Sequence, residues 1–403
     1  MRIESRWALA VLAVACIAGW NSCTTARNPN SSTTASMWVA TDGDQMVRSY
    51  SINLTSGAVS QTGNAVATGV QPQAMAITPD GKTLFIANSG DNSISGYSVN
   101  SDGTLGTPAK TPSSGQFPIA LAIDPTGKIL FAADQQSGDV SAYTISSTSL
   151  TAVGAVPTQT TASPVSADPS ALAVSASGNF LYVANSATDQ VLGFSYAGNG
   201  ALTPLPSANP NPCGAGAPGY CVQVGTTPSG LAFSRCAGIT TATAACPTAD
   251  ASNLFVSNAG SNNISIFSAC LQTSATCATP DGTLTPLSTN SSVAACCGPT
   301  IFLVDPAADF VYVLERGASQ VGQFRYSPAT GALTALSPSF ASTGASPFSA
   351  GISANTSNSN WVFVTNAGAS SISGFSVSPA GTLVGLSSGP FAVSGQPTAI
   401  LVR

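Results

Sequence analysis

Two adjacent residues, Glu315 and Arg316, form the most conspicuous chemical pairing in this chain. Glu315 is the only glutamate beyond Glu4, and the sequence contains no histidine. That inventory excludes a Ser-His-Asp or Cys-His nucleophile and any histidine-based zinc site. A base working near neutral pH must then be a carboxylate raised by burial or a lysine lowered by it. A lone carboxylate, Glu315 or Asp134, could act in this way toward a water. Arg316 beside Glu315 is expected to hold that carboxylate ionised with a low pKa, which suits positioning of a ligand better than proton abstraction. Asp42 and Asp44 offer hard oxygens for calcium, but two acids in one turn equally describe a plain acidic turn. No CxxC pair is present, and nothing in the residue inventory calls for a cofactor.

The elements that must position these residues are repeated. Seven stretches share one phrase: MWVAT (37–41), LFIAN (84–88), LFAAD (130–134), LYVAN (181–185), LFVSN (254–258), VYVLE (311–315) and VFVTN (362–366). Six residues past each sits Val47, Ile94, Val140, Val191, Ile264, Val321 or Ile372, and nine past sits Tyr50, Tyr97, Tyr143, Phe194, Phe267, Phe324 or Phe375. Short apolar runs rich in β-branched and aromatic residues, bounded by Gly, Asn, Asp and Ser, are strands joined by hairpin turns. Seven proline-led segments mark a second strand: PQAMAI (72–77), PIALAI (118–123), PSALAV (169–174), PSGLAF (228–233), PTIFLV (299–304), PFSAGI (347–352) and PTAILV (397–402). A Gly-x-Leu start, as at Gly103-Thr104-Leu105, opens another. Each unit thus supplies four antiparallel strands, A to D, in roughly 46–51 residues, the size of a propeller blade.

The two ends decide the topology. The first phrase, MWVAT, has no proline segment before it, and the last proline segment, PTAILV, has no phrase after it. This offset predicts an all-β, single seven-bladed propeller over residues 37–403. Residues 397–402 give the first blade its inner strand, so no raw sheet edge remains. The ring of strand-B ends is then Thr41, Asn88, Asp134, Asn185, Asn258, Glu315 and Asn366. An asparagine there caps its own hairpin; Asp134 and the Glu315–Arg316 pair break the pattern and read alternatively as positions released for function.

The LFVAN-like strand, the proline-led inner strand and the seven-fold count resemble the seven-bladed propellers of the lactonase family, which includes 6-phosphogluconolactonase-like and YVTN-repeat proteins. The resemblance covers residues 37–402. It implies lactone hydrolysis using histidine, glutamate and arginine at the channel mouth, with ligand on the face that carries the B–C turns. This chain has no histidine to carry over. On that face the turns and their edges offer mainly Arg48 and Arg316, so Arg48, Glu315 and Arg316 are the expected ligand-binding residues. Lys82 and Lys128 fall on the opposite face.

Eight cysteines follow residue 200, all within 213–297: Cys213, Cys221, Cys236, Cys246, Cys270, Cys277, Cys296 and Cys297. They sit in insertions spanning 203–298 around the fifth blade. In an exported chain an even set at short spacings reads as disulfides. Nearest-neighbour pairing gives 213–221, 236–246, 270–277 and a vicinal 296–297. The placement puts 236–246 and 270–277 on one face, and 213–221 and 296–297 in D–A connections on the other, with cross-pairing open within each face.

Export itself is read from residues 1–22. Arg2 and Arg6 precede an uncharged run, Trp7–Trp20, too short to span a bilayer comfortably. Residues 23–36 are polar and aperiodic, a tether. Cys23 at the junction resembles a lipidated lipoprotein cysteine, whereas Ala13-Val14-Ala15 offers a cleavage site instead. The chain is expected in the periplasm, attached to an outer membrane as a lipoprotein, or outside a bacterial cell, as a monomer. Its membrane contact would be only through that anchor. Charged residues are 7% of the chain with net charge −5 and no basic cluster, which disfavours nucleic acid. Three classes remain: a binding or interaction module for a small molecule, glycan or protein on the B–C/D–A face; a divergent lactonase using Glu315 or an aspartate; and a structural surface module. The scarcity of ionisable groups favours the first.

Overall fold

The computed structural model describes residues 33–112, 115–159, 167–206, 219–234, 253–271, 277, 279–287, 291–305, 310–327, 330–353 and 360–403. These form seven antiparallel sheets in a ring, each with strands in the order A-B-C-D. Blade 1 takes strand A from Pro397–Val402 and its B, C and D strands from Thr34–Thr41, Met46–Asn53 and Val59–Ala67. Strand B of this blade opens at Thr34, inside the stretch read from the sequence as the end of the tether. The two chain ends meet in register, Met37 opposite Val402 and Val39 opposite Ile400.

The residues of the repeated phrase form the layers between blades. Val47, Ile94, Val140, Val191, Ile264, Val321 and Ile372 are all buried, as are the seven aromatics three positions on. Side chains alternate across each strand, so one blade sends successive residues into two neighbouring layers. Trp38, Ala40 and Val47 pack on Ile77, Leu84, Ile86 and Tyr97 between blades 1 and 2. Met37, Val39 and Ile52 pack on Trp361 and Phe363 between blades 1 and 7, which closes the ring hydrophobically as well as by pairing. Each large side chain buried in such a layer contributes roughly 1.5–3 kcal/mol. The polar tips of these aromatics are tied across the layers: Trp38 Nε1 donates to the Gly103 carbonyl at 2.9 Å, and Tyr182 Oη to that of Gly282 at 2.6 Å.

The insertions fall partly elsewhere than expected. In blade 4 the outer position is shared by Leu202–Pro204 and Cys221–Gln223, both paired to strand C (Gln190–Tyr196). The insertion therefore interrupts an outer strand instead of extending a D–A connection. Cys221 lies opposite Leu192, wholly buried in the layer between blades 3 and 4, not on a loop face. Cys221 is disulfide-bonded; Cys213, Cys236 and Cys246 lie outside the described residues, as does Cys23. Cys270 is bonded to Cys277, and Cys296 to its neighbour Cys297.

Candidate functional site

The face carrying the B–C turns is built from the ring of strand-B ends upward. All seven ring residues are buried. Each blade inserts a bulge just after the strand-A proline, as where Pro72 faces Asn88 but Ala74 faces Ala87. That extra residue shifts the ladder and re-aims the backbone at the mouth of the ring.

In blade 2, Asn88 does more than cap its own hairpin. Its Oδ1 accepts the Gly69 N–H, from the D–A connection, at 3.0 Å. Its Nδ2 donates to Ser93 Oγ and Ser95 Oγ on strand C, at 3.1 and 3.0 Å. Asn366 repeats the arrangement with Gly344 N, Ser371 Oγ and Ser373 Oγ, and Asn185 Oδ1 accepts the Asp168 N–H. One amide thus clamps a D–A segment to a B–C turn. A second lock joins neighbouring blades. The last residue of each B–C turn has positive φ, which Asn and Asp tolerate: Asn92, Asp189 and Asn262 have φ of 51°, 56° and 52°. Their side-chain oxygens accept N–H bonds from Phe117, Thr227 and Gly298 of the next blade.

Glu315 occupies the clamp position of blade 6. Its Oε1 accepts the Cys296 N–H at 2.8 Å and its Oε2 accepts Gln320 Nε2 at 2.6 Å. The extra methylene is accommodated because residue 322 is glycine: a Cβ there would stand 2.7 Å from Glu315 Oε1. Burial pushes the Glu315 carboxyl above its ordinary value, with those two bonds opposing the shift. The expectation that Arg316 holds it low is therefore not met. The guanidinium turns away, its Nε donating to the Pro347 carbonyl at 3.2 Å and its plane lying 4.3 Å from the Phe348 ring centroid. Its Nη atoms make no hydrogen bond among the described residues, and burial lowers its pKa. An exposed guanidinium in the B–C turn, whose Nη atoms have no hydrogen-bond partner among the described residues, is suited to an anionic or strongly polar ligand group.

Arg48, in contrast, is spent. It is buried, pairs with Asp44 and donates to Thr41 Oγ1 at 2.8 Å. Burial raises the Asp44 pKa, but the bonds from Arg48 and Thr41 outweigh it and the carboxyl sits below its ordinary value. That carboxylate already has a cation. Asp42 anchors its turn through its N–H to the Gln396 carbonyl. Among the described residues no group of three or more acid or cysteine side chains converges as metal ligands would. The structure does not gather Arg48, Glu315 and Arg316 into one cluster of contacts.

Asp134 holds a feature the sequence reading missed. Its Oδ2 accepts Ser141 Oγ at 2.5 Å, and its register partner across the turn is Asp139. Burial raises the Asp139 pKa, against opposing hydrogen bonds with Ser137 and with Asp134 itself. The available signal was position: Asp139 stands five residues past the ring, where Ser93, Asn263 and Ser371 supply the clamp partners of other blades.

The model of the seven-bladed β-propeller lactonases matches residues 30–155 and 245–390, more than half of the chain. A candidate 6-phosphogluconolactonase of Bacteroides fragilis superposes with a TM-score of 0.73 at 18% identity, covering 94% of this chain and all of that one. The periplasmic gluconolactonase of Pseudomonas aeruginosa gives 0.69 at 20% identity, covering 92% of this chain and 99% of that one. At these identities the likeness is one of fold. Comparison with curated proteins yields no sequence match.

Proposed function

The chain belongs to the lactonase family of seven-bladed β-propellers, and we propose that within that family it serves as an exported binding module with little or no hydrolytic activity. Residues 1–22 would direct export, and Cys23 could carry a lipid anchor. The observation that carries the reading is the contrast inside blade 6: both oxygens of Glu315 are consumed by Cys296 and Gln320, while Arg316 keeps a free guanidinium edge over Phe348. A carboxylate pinned from both sides is poorly placed to take a proton from water, whereas the guanidinium face is open to a ligand. An aromatic ring beside a cation also suits a glycan or other small polar ligand.

A divergent lactonase is the second reading. It is favoured by the fold shared with gluconolactonases and by the pairing of Asp134 with Asp139, two carboxyl groups facing each other across strands B and C, one of them raised by burial. Initial rates on 6-phosphogluconolactone and on unphosphorylated gluconolactone separate the two. The binding reading expects no rate above spontaneous hydrolysis, and Arg316→Ala weakening ligand capture on a glycan and metabolite panel by about tenfold or more. Enzyme-like turnover lost in Asp139→Asn would establish the lactonase, and turnover lost in Glu315→Gln would overturn the structural role given to that residue.

A further inference from the structure

The cysteines differ sharply in access. Cys221 is wholly buried and Cys277 is buried, whereas Cys296 and Cys297 are both exposed on the D–A connection of blade 6. These two cysteines also form a knot in the clamp described above. Cys296 N–H donates to Glu315 Oε1, Gly317 N–H donates to the Cys297 carbonyl at 2.8 Å, and Arg316 N–H to that of Gly298 at 3.2 Å. Cys297 has φ of 45°, a conformation that a side chain other than that of Gly, Asn or Asp rarely adopts unless something holds it there. Gln71, Phe117, Thr227 and Ser346 also have positive φ in the D–A connections of other blades, so the fold itself favours the conformation there; what blade 6 adds is a covalent ring between two neighbouring residues of that connection.

We propose that Cys296–Cys297 is a reversible thiol–disulfide modification site whose redox state sets the order of the Glu315–Arg316 turn. The co-reactant is a dithiol, a small molecule or a protein of the two-cysteine class. One of its thiolates attacks an exposed Sγ, breaking the Cys296–Cys297 bond and forming a mixed disulfide. Its second thiolate displaces the cysteine, so the dithiol is oxidised to a disulfide. Two electrons and two protons end on Cys296 and Cys297. Opening the ring removes the covalent link between Cys296 and Cys297 and lets the D–A connection leave the turn, loosening the bonds to Glu315 and Gly317. The site is independent of which ligand Arg316 meets.

The test uses the intact protein, titrated with dithiothreitol under native conditions, alkylated and mapped by mass spectrometry, with hydrogen exchange read on the peptide spanning 312–320. Cys296 and Cys297 are expected to alkylate at about a tenfold lower dithiol concentration than Cys270 and Cys277. Exchange in 312–320 should rise in step and return on reoxidation with oxidised glutathione. The Cys296→Ser/Cys297→Ser double variant should show the raised exchange without any reductant. The proposal is overturned if this pair opens together with or after Cys270–Cys277. It is equally overturned if the pair opens first and exchange in 312–320 stays unchanged in both the reduced protein and the double variant.

Discussion

Blade 2 and blade 6 solve one problem with different chemistry. In both, the last residue of strand B ties the D–A connection to strand C. Blade 2 does so with a neutral amide, Asn88, between the Gly69 N–H and two serine hydroxyls. Blade 6 uses a carboxylate, Glu315, between the Cys296 N–H and the Gln320 amide. The residues five and seven positions on have changed with it, from Ser93 and Ser95 to Gln320 and Gly322. The longer side chain took the space that Gly322 left open. A departure that looks like functional release in the sequence is therefore a compensated replacement in the fold, and the side chain whose Nη atoms have no partner among the described residues lies one residue further, at Arg316.

The comparison breaks most visibly at Asn88. Asn88→Ala strands the buried Gly69 N–H and removes the donor to Ser93 and Ser95, and should cost about 1–3 kcal/mol in denaturant unfolding. A loss below that range would mean the D–A connection is held by other contacts. Gly322→Ser should follow, at roughly 1–2 kcal/mol, because its Cβ meets Glu315 Oε1 and approaches Phe324 to 3.2 Å. No such penalty is expected from Gly154, where an added Cβ has nothing within 4 Å.

Glu315→Gln is the smallest change and sharpens the comparison through pH. Burial raises the Glu315 pKa above its ordinary 4.5. The contribution of this group is fully present below that ordinary value and is lost as pH rises through the higher folded value. The neutral glutamine removes that loss. Relative to wild type, the variant should therefore gain stability from pH 4 to pH 8, by the smallest margin of these changes. Wild type gaining over the variant across that window would show that the ionised carboxylate is favoured in the folded protein.

Much of this was legible in the residues. The seven phrases carry β-branched and aromatic side chains at fixed offsets because each strand B and strand C must fill two inter-blade layers. The unmatched ends announced closure because a propeller has no other use for a lone inner strand. The clamp was not legible, since its partners are backbone N–H groups in connections of varying length, such as Gly69, Asp168 and Cys296. Asp139 reads as any acid in a turn until the register places it opposite Asp134. Cys221 was misplaced because an outer strand interrupted by an insertion looks, in sequence, like a long connection.

The central claim is that the ring position is a structural clamp whose chemistry is set jointly with the residues five and seven positions on. Transplanting the blade 2 set into blade 6, as Glu315→Asn/Gln320→Ser/Gly322→Ser, tests it most directly by denaturant unfolding of the triple variant beside its three single variants. The account predicts strong non-additivity, with the triple variant within about 1 kcal/mol of wild type although Gly322→Ser and Glu315→Asn each destabilise alone. A triple variant whose loss equals or exceeds the sum of its singles would contradict it.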